Sequence, residues 1–124
     1  MPEAIRYLNN AKELLKKSRI EGDRCEDIKY VQEACGTAYL AVLKAIDGYL
    51  MSRGVSKKEL PRSIEGYREM LRRYLSIHDG KLAKHFEKLY DELHIAGYYR
   101  GLISDVNALK DIFKSAKGFI DKIK

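Results

Sequence analysis

The segment from residue 93 to residue 101 carries the side chains best suited to bind another molecule. It reads LHIAGYYRG and brings His94, Tyr98, Tyr99 and Arg100 close together in the sequence. Aromatic and arginine side chains supply much of the binding energy at protein interfaces. A ring can stack on a partner, while an arginine pairs with a phosphate or a carboxylate. We therefore expect these four residues to form a binding surface.

The other histidines and acidic residues do not predict a metal site or a cofactor. His85 and His94 are nine residues apart and would face opposite sides of one helix. Di-metal bundles use a Glu-x-x-His motif, whereas here Glu92 stands two residues before His94. The sequence also has no CxxC pair, no glycine-rich phosphate loop and no Ser–His–acid set. We expect neither a metal nor a cofactor.

The cysteines and the N-terminus are typical of a protein from a reducing compartment. Cys25 and Cys35 are ten residues apart, which is about 15 Å along one helix, whereas a disulfide needs Cα atoms within about 7 Å. Cys35 instead suits a small core position, and Gly36 beside it would allow close helix packing. The first residues, MPEAIRYLNNAKELLKK, lack the apolar core of a signal peptide, and no long apolar run follows. We expect a cytoplasmic protein without a membrane span.

Helical periodicity dominates the sequence and predicts an all-α fold. Apolar residues recur at alternating spacings of three and four, as one buried helix face requires, and no strand pattern is found. The predicted helices cover residues 2–20, 23–53, 61–78, 81–96 and 102–123. Pro2, Asp23 and Pro61 suit helix N-termini, and Gly22 suits a helix end. We predict an antiparallel, up-and-down bundle of four to five helices in a single domain, 1–124.

A change in the phase of the apolar stripe predicts a turn near residues 97–101. Leu93 belongs to the stripe of the fourth helix and Leu102 to that of the fifth. These two residues are separated by about 900° around one straight helix, so they would lie on opposite sides of it. The two glycines of this segment cost a helix interior about 1 kcal/mol each, but they permit a turn and the close approach of another backbone. We therefore predict that the chain bends here and presents the binding residues at an end of the bundle.

Several segments of the chain carry a family resemblance. They read YVQEACGTAYLAVLKAIDGYL, LPRSIEGYREML, and LYDELHIAGYYRG followed by DVNALKDIFKSAKGFI, and LHIAGYYRG is the most specific part. Together they resemble a small bacterial family of helical bundles that is grouped with HEPN-like domains and with the substrate-binding domains of minimal nucleotidyltransferases. The resemblance implies a bundle of four or five helices, dimerisation, and a protein partner such as a nucleotidyltransferase. It implies no known reaction.

The same resemblance raises an alternative, a metal-independent ribonuclease. Active HEPN ribonucleases carry an arginine followed, after four to six residues, by a histidine, and Arg73 and His78 match that spacing. The histidine would transfer a proton and the arginine would stabilise phosphate charge. However, Tyr74 follows Arg73 where the family has a polar residue, and His78 falls in the apolar phase of its helix. The alternative to a catalytic role is a structural one, in which His78 is a partly buried histidine near a helix C-terminus.

The sequence is compatible with three functions. The first is a non-catalytic binding module for a protein or nucleotide-bearing partner, and the second is the ribonuclease. The third is a structural homo-oligomer in which the amphipathic fifth helix pairs with its copy. The net charge of +6 would suit a nucleic acid. Both signs are interspersed along the chain, so charge does not decide among the three.

Overall fold

The structure, a computed structural model, describes residues 2–75 and 80–123 and is dominated by helices. The five α-helices of this described part are α1 (Pro2–Lys16), α2 (Ile28–Ser52), α3 (Ile64–Tyr74), α4 (Gly80–Leu89) and α5 (Val106–Lys122). Their apolar faces meet in a core that includes Ile46, Phe86 and Phe119. The predicted all-α helical bundle is confirmed. Among the described helices, none is both long and apolar enough to cross a membrane.

Helices α1 and α2 run side by side in opposite directions. The Lys44 ammonium of α2 lies 3.7 Å from the Glu3 carboxylate near the start of α1. Leu14, near the end of α1, borders the same groove as Glu33, near the start of α2. The buried faces of both helices contain alanines, whose small side chains allow two helices to approach closely.

A short β-hairpin joins α1 to α2 where the sequence predicted only a break between helices. Strand β1 (Ile20–Glu21) pairs antiparallel with β2 (Arg24–Cys25). Gly22 occupies the turn with a φ of 60°, a conformation that favours glycine. The prediction that the second helix begins near Asp23 was therefore wrong, since α2 begins at Ile28.

Hydrogen bonds to a distant segment explain why this hairpin forms. The Cys25 amide donates to the Ser104 carbonyl at 2.8 Å, and the Val106 amide donates to the Asp23 carbonyl at 2.7 Å. The Arg24 guanidinium also donates to the Ser104 hydroxyl at 3.0 Å, across 80 residues of sequence. A strand of two residues has no alternating pattern to detect, and its partner is remote, so local periodicity could not predict it.

Side-chain caps organise the connection from α2 to α3. A 3₁₀ turn (Lys57–Glu59) has a capping box, in which the Ser56 amide donates to the Glu59 carboxylate at 3.0 Å. The Ser63 hydroxyl then accepts a backbone amide of α3 at 3.0 Å and so caps this helix. Pro61 does not open the helix as predicted, because it lies in the connector before this cap.

Helix α4 continues without a break into a π-helix (Tyr90–Tyr99), whose hydrogen bonds join residues five apart. After the π-helix, Gly101 takes a φ of 59°, and the chain turns before α5 begins. The bend predicted near residues 97–101 is confirmed. The prediction that Leu102 begins the fifth helix was wrong. This residue lies in the non-helical segment between the π-helix and α5, where its side chain is 62% exposed.

Candidate functional site

The π-helix arranges three rings in a column. Tyr90, His94 and Tyr98 are spaced four residues apart in it, and residues at that spacing are neighbours on one side of a helix. The ring centroids of Tyr90 and His94 are 5.4 Å apart, those of His94 and Tyr98 are 5.8 Å apart, and both pairs are stacked. The constant spacing of four and the two stacked pairs together define the column.

Tyr39 of α2 completes a cluster that we call the aromatic ladder (Tyr39, Tyr90, His94 and Tyr98). The Tyr39 ring centroid lies 4.9 Å from that of His94 and 5.9 Å from that of Tyr90. Burial raises the pKa of the Tyr39 phenol well above its usual value, and the neighbouring Tyr90 raises it further. The phenol therefore stays protonated at neutral pH, and the ring offers stacking and hydrogen bonding without charge.

An ion pair closes one end of the aromatic ladder. The Arg68 guanidinium of α3 lies 5.2 Å from the centroid of the Tyr90 ring. It donates two hydrogen bonds of 2.9 Å each to the Glu87 carboxylate of α4, and the pKa of Arg68 is raised by this pairing. Such a bidentate pair fixes the plane of the guanidinium. The guanidinium that lies over Tyr90 is thus already engaged within the protein.

Two glycines let α2 and the π-helix approach closely enough to place the aromatic ladder. A Cβ atom at Gly97 would lie 2.6 Å from the Cys35 sulfur, and one at Gly36 would lie 2.8 Å from the Tyr98 ring. Both distances are shorter than carbon atoms tolerate, so a larger residue would push the two helices apart. Cys35 is fully buried, and burial raises the pKa of its thiol to about 12. It is a core residue, as predicted.

The aromatic ladder forms a wall of an open groove, which we call the ladder groove. The ladder groove has a volume of about 560 Å³ and lies between α1, α2 and the π-helix. Leu14, Glu33, Thr37 and Leu40 line it together with the rings of Tyr39, His94 and Tyr98. Leu40 and Tyr98 are 46% and 47% exposed, although both are large. The described lining includes a carboxylate but no lysine or arginine, so it suits an apolar or aromatic group.

The whole chain matches a protein family. The family is described as "Domain of unknown function (DUF5618)", and the match covers residues 1–124. The chain belongs to this family. It is also similar to a solved structure, a protein of unknown function from Dyadobacter fermentans, at 33% sequence identity and a TM-score of 0.78, over 98% of this chain and 89% of that one. None of the curated proteins is significantly similar to the DUF5618 chain.

The four predicted binding residues of this DUF5618 chain fall into two groups. His94 and Tyr98 belong to the aromatic ladder and line the ladder groove. Tyr99 and Arg100 do not line it; Tyr99 is 75% exposed, and Arg100 is exposed just after the π-helix. The structure thus brings two of the four residues into one concave site. A single surface that uses all four stays a prediction.

Sequence reasoning missed the contribution of α2 to the site of the DUF5618 chain. Tyr39 and Leu40 follow the helical period of α2, and no local pattern indicates which rings they meet. The π-helix, in contrast, did leave a signal. Tyr90, His94 and Tyr98 recur at a constant spacing of four, whereas a face of a regular α-helix alternates spacings of three and four.

The ribonuclease alternative depends on a residue that the structure does not describe. Arg73 is exposed in the last turn of α3, while His78 lies outside the described residues, so the geometry of this pair stays a prediction. Across the described part of the DUF5618 chain, no three side chains of His, Cys, Asp or Glu form a group that could hold a metal ion.

His85 connects α4 to α5. Its Nε2 atom lies 2.7 Å from the Ser115 hydroxyl, and its ring packs edge-on against Phe119 at 5.6 Å between centroids. Burial lowers the pKa of His85, and the positive charges of Lys122 and Lys88 lower it further. The imidazole is therefore neutral at pH 7 and serves the packing of two helices.

Proposed function

We propose that this chain is a non-catalytic binding module whose ladder groove receives an apolar or aromatic side chain of a partner protein. The observation that carries the proposal is the groove's lining, in which half-exposed Leu40 and Tyr98 stand beside stacked rings. A concave site with an apolar lining and few polar groups is typical of ligand and anchor binding. Large apolar side chains left exposed beside such a hollow favour an interaction site.

The charges around the ladder groove favour a protein side chain over a nucleotide. Lysine and arginine are the side chains that bind a phosphate most strongly, and the described lining has neither. Arg68 is paired with Glu87, and Arg100 does not line the groove. The charged residue that does line it is Glu33. A fitting partner segment therefore presents an apolar or aromatic anchor with a basic residue beside it.

The aromatic ladder is also ordered before any partner arrives. Tyr90, His94 and Tyr98 stack on one another, and Tyr39 packs against two of them. Binding to rings that are already fixed loses less side-chain entropy than binding to exposed, rotating ones. Preorganisation of this kind supports a docking role.

The resemblance to HEPN-like bundles supports the same proposal, because it implies a helical bundle that works with a protein partner such as a nucleotidyltransferase. The two buried, unpaired cysteines, Cys25 and Cys35, fit a partner met in the cytoplasm, where thiols stay reduced. We therefore infer a HEPN-like binding module in that compartment, with the ladder groove as its docking site.

Photo-crosslinking in intact cells tests this proposal with a matched control. A photoreactive amino acid replaces Leu40 or, as the control, Met51, which lies on the same helix and is 47% exposed compared with 46% for Leu40. We expect a protein adduct at position 40 and none at position 51. The purified partner should then bind the chain about tenfold or more weakly after Leu40→Glu, and with unchanged affinity after Met51→Glu.

Four outcomes would contradict the proposal. Equal adducts at both positions, or an unchanged affinity after Leu40→Glu, would remove the ladder groove from the interface. An adduct with RNA would favour the nucleic-acid alternative. An adduct of two copies of this chain would assign the groove to a homo-oligomer.

A further inference from the structure

A second groove, on the other flank of α1, has an apolar floor and a rim of lysines. We call it the lysine groove. It has a volume of about 440 Å³ and lies between α1, the β-hairpin and α5. Its apolar lining includes Leu15, Ile20, Val106 and Phe113. Leu14 borders the ladder groove and Leu15 borders this one, so the two sites use different faces of α1.

Five lysines from two helices surround the lysine groove, and no acidic residue lines it. They are Lys12 and Lys16 of α1 and Lys110, Lys114 and Lys117 of α5. Lys16 and Lys117 pair with carboxylates of their own helices, at 3.1 Å and 2.7 Å. No described carboxylate lies within ion-pair distance of the other three. Several like charges around one hollow produce a positive potential that attracts an anion.

The floor of the lysine groove supplies the complementary feature. Phe113 is almost fully buried beneath it, while Ile20 of the hairpin is 59% exposed beside it. The hairpin cannot easily fold away, because β2 is hydrogen-bonded to the segment before α5. Lysine stems can cover an apolar floor while their ammonium groups stay in water. A ligand with an apolar tail would displace those stems and bury both the floor and Ile20.

We propose that the lysine groove binds a single anionic amphiphile, a fatty carboxylate. Its apolar tail lies along Leu15, Ile20 and Phe113, and its carboxylate pairs with Lys110 and Lys114. The volume falls within the range of roughly 300–1,000 Å³ that is typical of small-ligand sites. An apolar floor beside a rim of lysines matches a ligand with one apolar tail and one anionic head, and the lining has no acidic residue to repel that head.

Titration of the full chain with laurate below its micellar concentration tests the proposal. We expect NMR shift changes at Leu15, Ile20 and Phe113 and a melting temperature that rises with laurate concentration, because a ligand of the native state stabilises it. Dodecanol, of equal length but neutral, should bind more weakly, and acetate should not bind detectably. Raised salt should weaken laurate binding.

Charge variants provide the matched comparison. Lys110→Gln with Lys114→Gln should weaken laurate binding about tenfold. Lys57→Gln with Lys58→Gln removes the same charge from the exposed 3₁₀ turn and should leave binding unchanged. If the first pair reduces folding, Ile20→Ser supplies a second variant, which should weaken laurate binding while the chain stays folded.

Other results would overturn this assignment. Dodecanol binding as tightly as laurate, or equal losses in both double variants, would remove the lysine rim from recognition. A melting temperature lowered by laurate would show detergent action instead of binding. Binding to phosphatidylglycerol vesicles without binding of monomeric laurate would assign the surface to a membrane. Leu40→Glu should not affect laurate binding. The proposed laurate site and the proposed partner site in the ladder groove are therefore tested independently.

Discussion

Replacing Gly97 by alanine tests the close contact on which the aromatic ladder depends. The new Cβ atom would lie 2.6 Å from the Cys35 sulfur and 2.7 Å from its Cβ atom. Cys35 is fully buried on α2, so it cannot move aside and the helices must separate. Overpacking of this kind costs about 1–3 kcal/mol, while alanine regains about 1 kcal/mol of helix propensity over glycine. Because the clash involves an atom fixed to the backbone, we expect an overpacking cost in the upper part of that range and a net loss of about 1–2 kcal/mol.

Gly118→Ala is the matched control, because a Cβ atom there would meet no other atom within 4 Å. It should stabilise the protein by about 0.5–1 kcal/mol. Urea unfolding of both variants should therefore give midpoints that differ by about 1 M, at the slopes typical of small domains. Cys35→Gly should cost less stability in the Gly97→Ala variant than in the unaltered protein, since it removes the two clashing atoms. If Gly97→Ala stabilised the protein as much as Gly118→Ala, the inferred contact between α2 and the π-helix would be wrong.

Two further predictions concern a helix cap and a histidine. Asp105→Ala should lower the free energy of unfolding by about 1 kcal/mol, because the Asp105 carboxylate accepts the Ala108 amide at 2.8 Å at the start of α5; an unchanged urea midpoint would contradict this role. The pKa of His85 is lowered from 6.5 in the folded protein, so the unfolded chain takes up a proton first as pH falls. Stability should therefore decrease as pH falls from above 6.5 towards the lowered folded pKa. His85→Gln should reduce that slope in urea midpoints measured from pH 7.5 to pH 5, and an unaltered slope would contradict the burial of this imidazole.

The sequence allowed the helices and the bend to be predicted, because both depend on local periodicity. Leu93 and Leu102 could not share one face of a straight helix, and the chain does turn between them. The same reasoning misplaced Leu102, since phase alone does not say where the next helix begins. The site was predicted in part: His94 and Tyr98 line the ladder groove, but Tyr39 reaches it from α2. Contacts between elements depend on packing, which a single periodic pattern does not encode.

The hydrogen bonds between the β-hairpin and the segment before α5 have a consequence for the order of folding. The hairpin lies near the N-terminus, yet the backbone groups that complete its edge belong to Ser104 and Val106. Contacts between residues far apart in sequence form slowly, because the intervening chain must first be ordered. During synthesis, α1 and α2 can associate early, whereas the edge of the hairpin is completed only after Ser104 and Val106 have left the ribosome. The hairpin and the segment before α5 therefore reach their final state together, and a nascent chain halted before α5 would leave residues 20–25 without their edge partner.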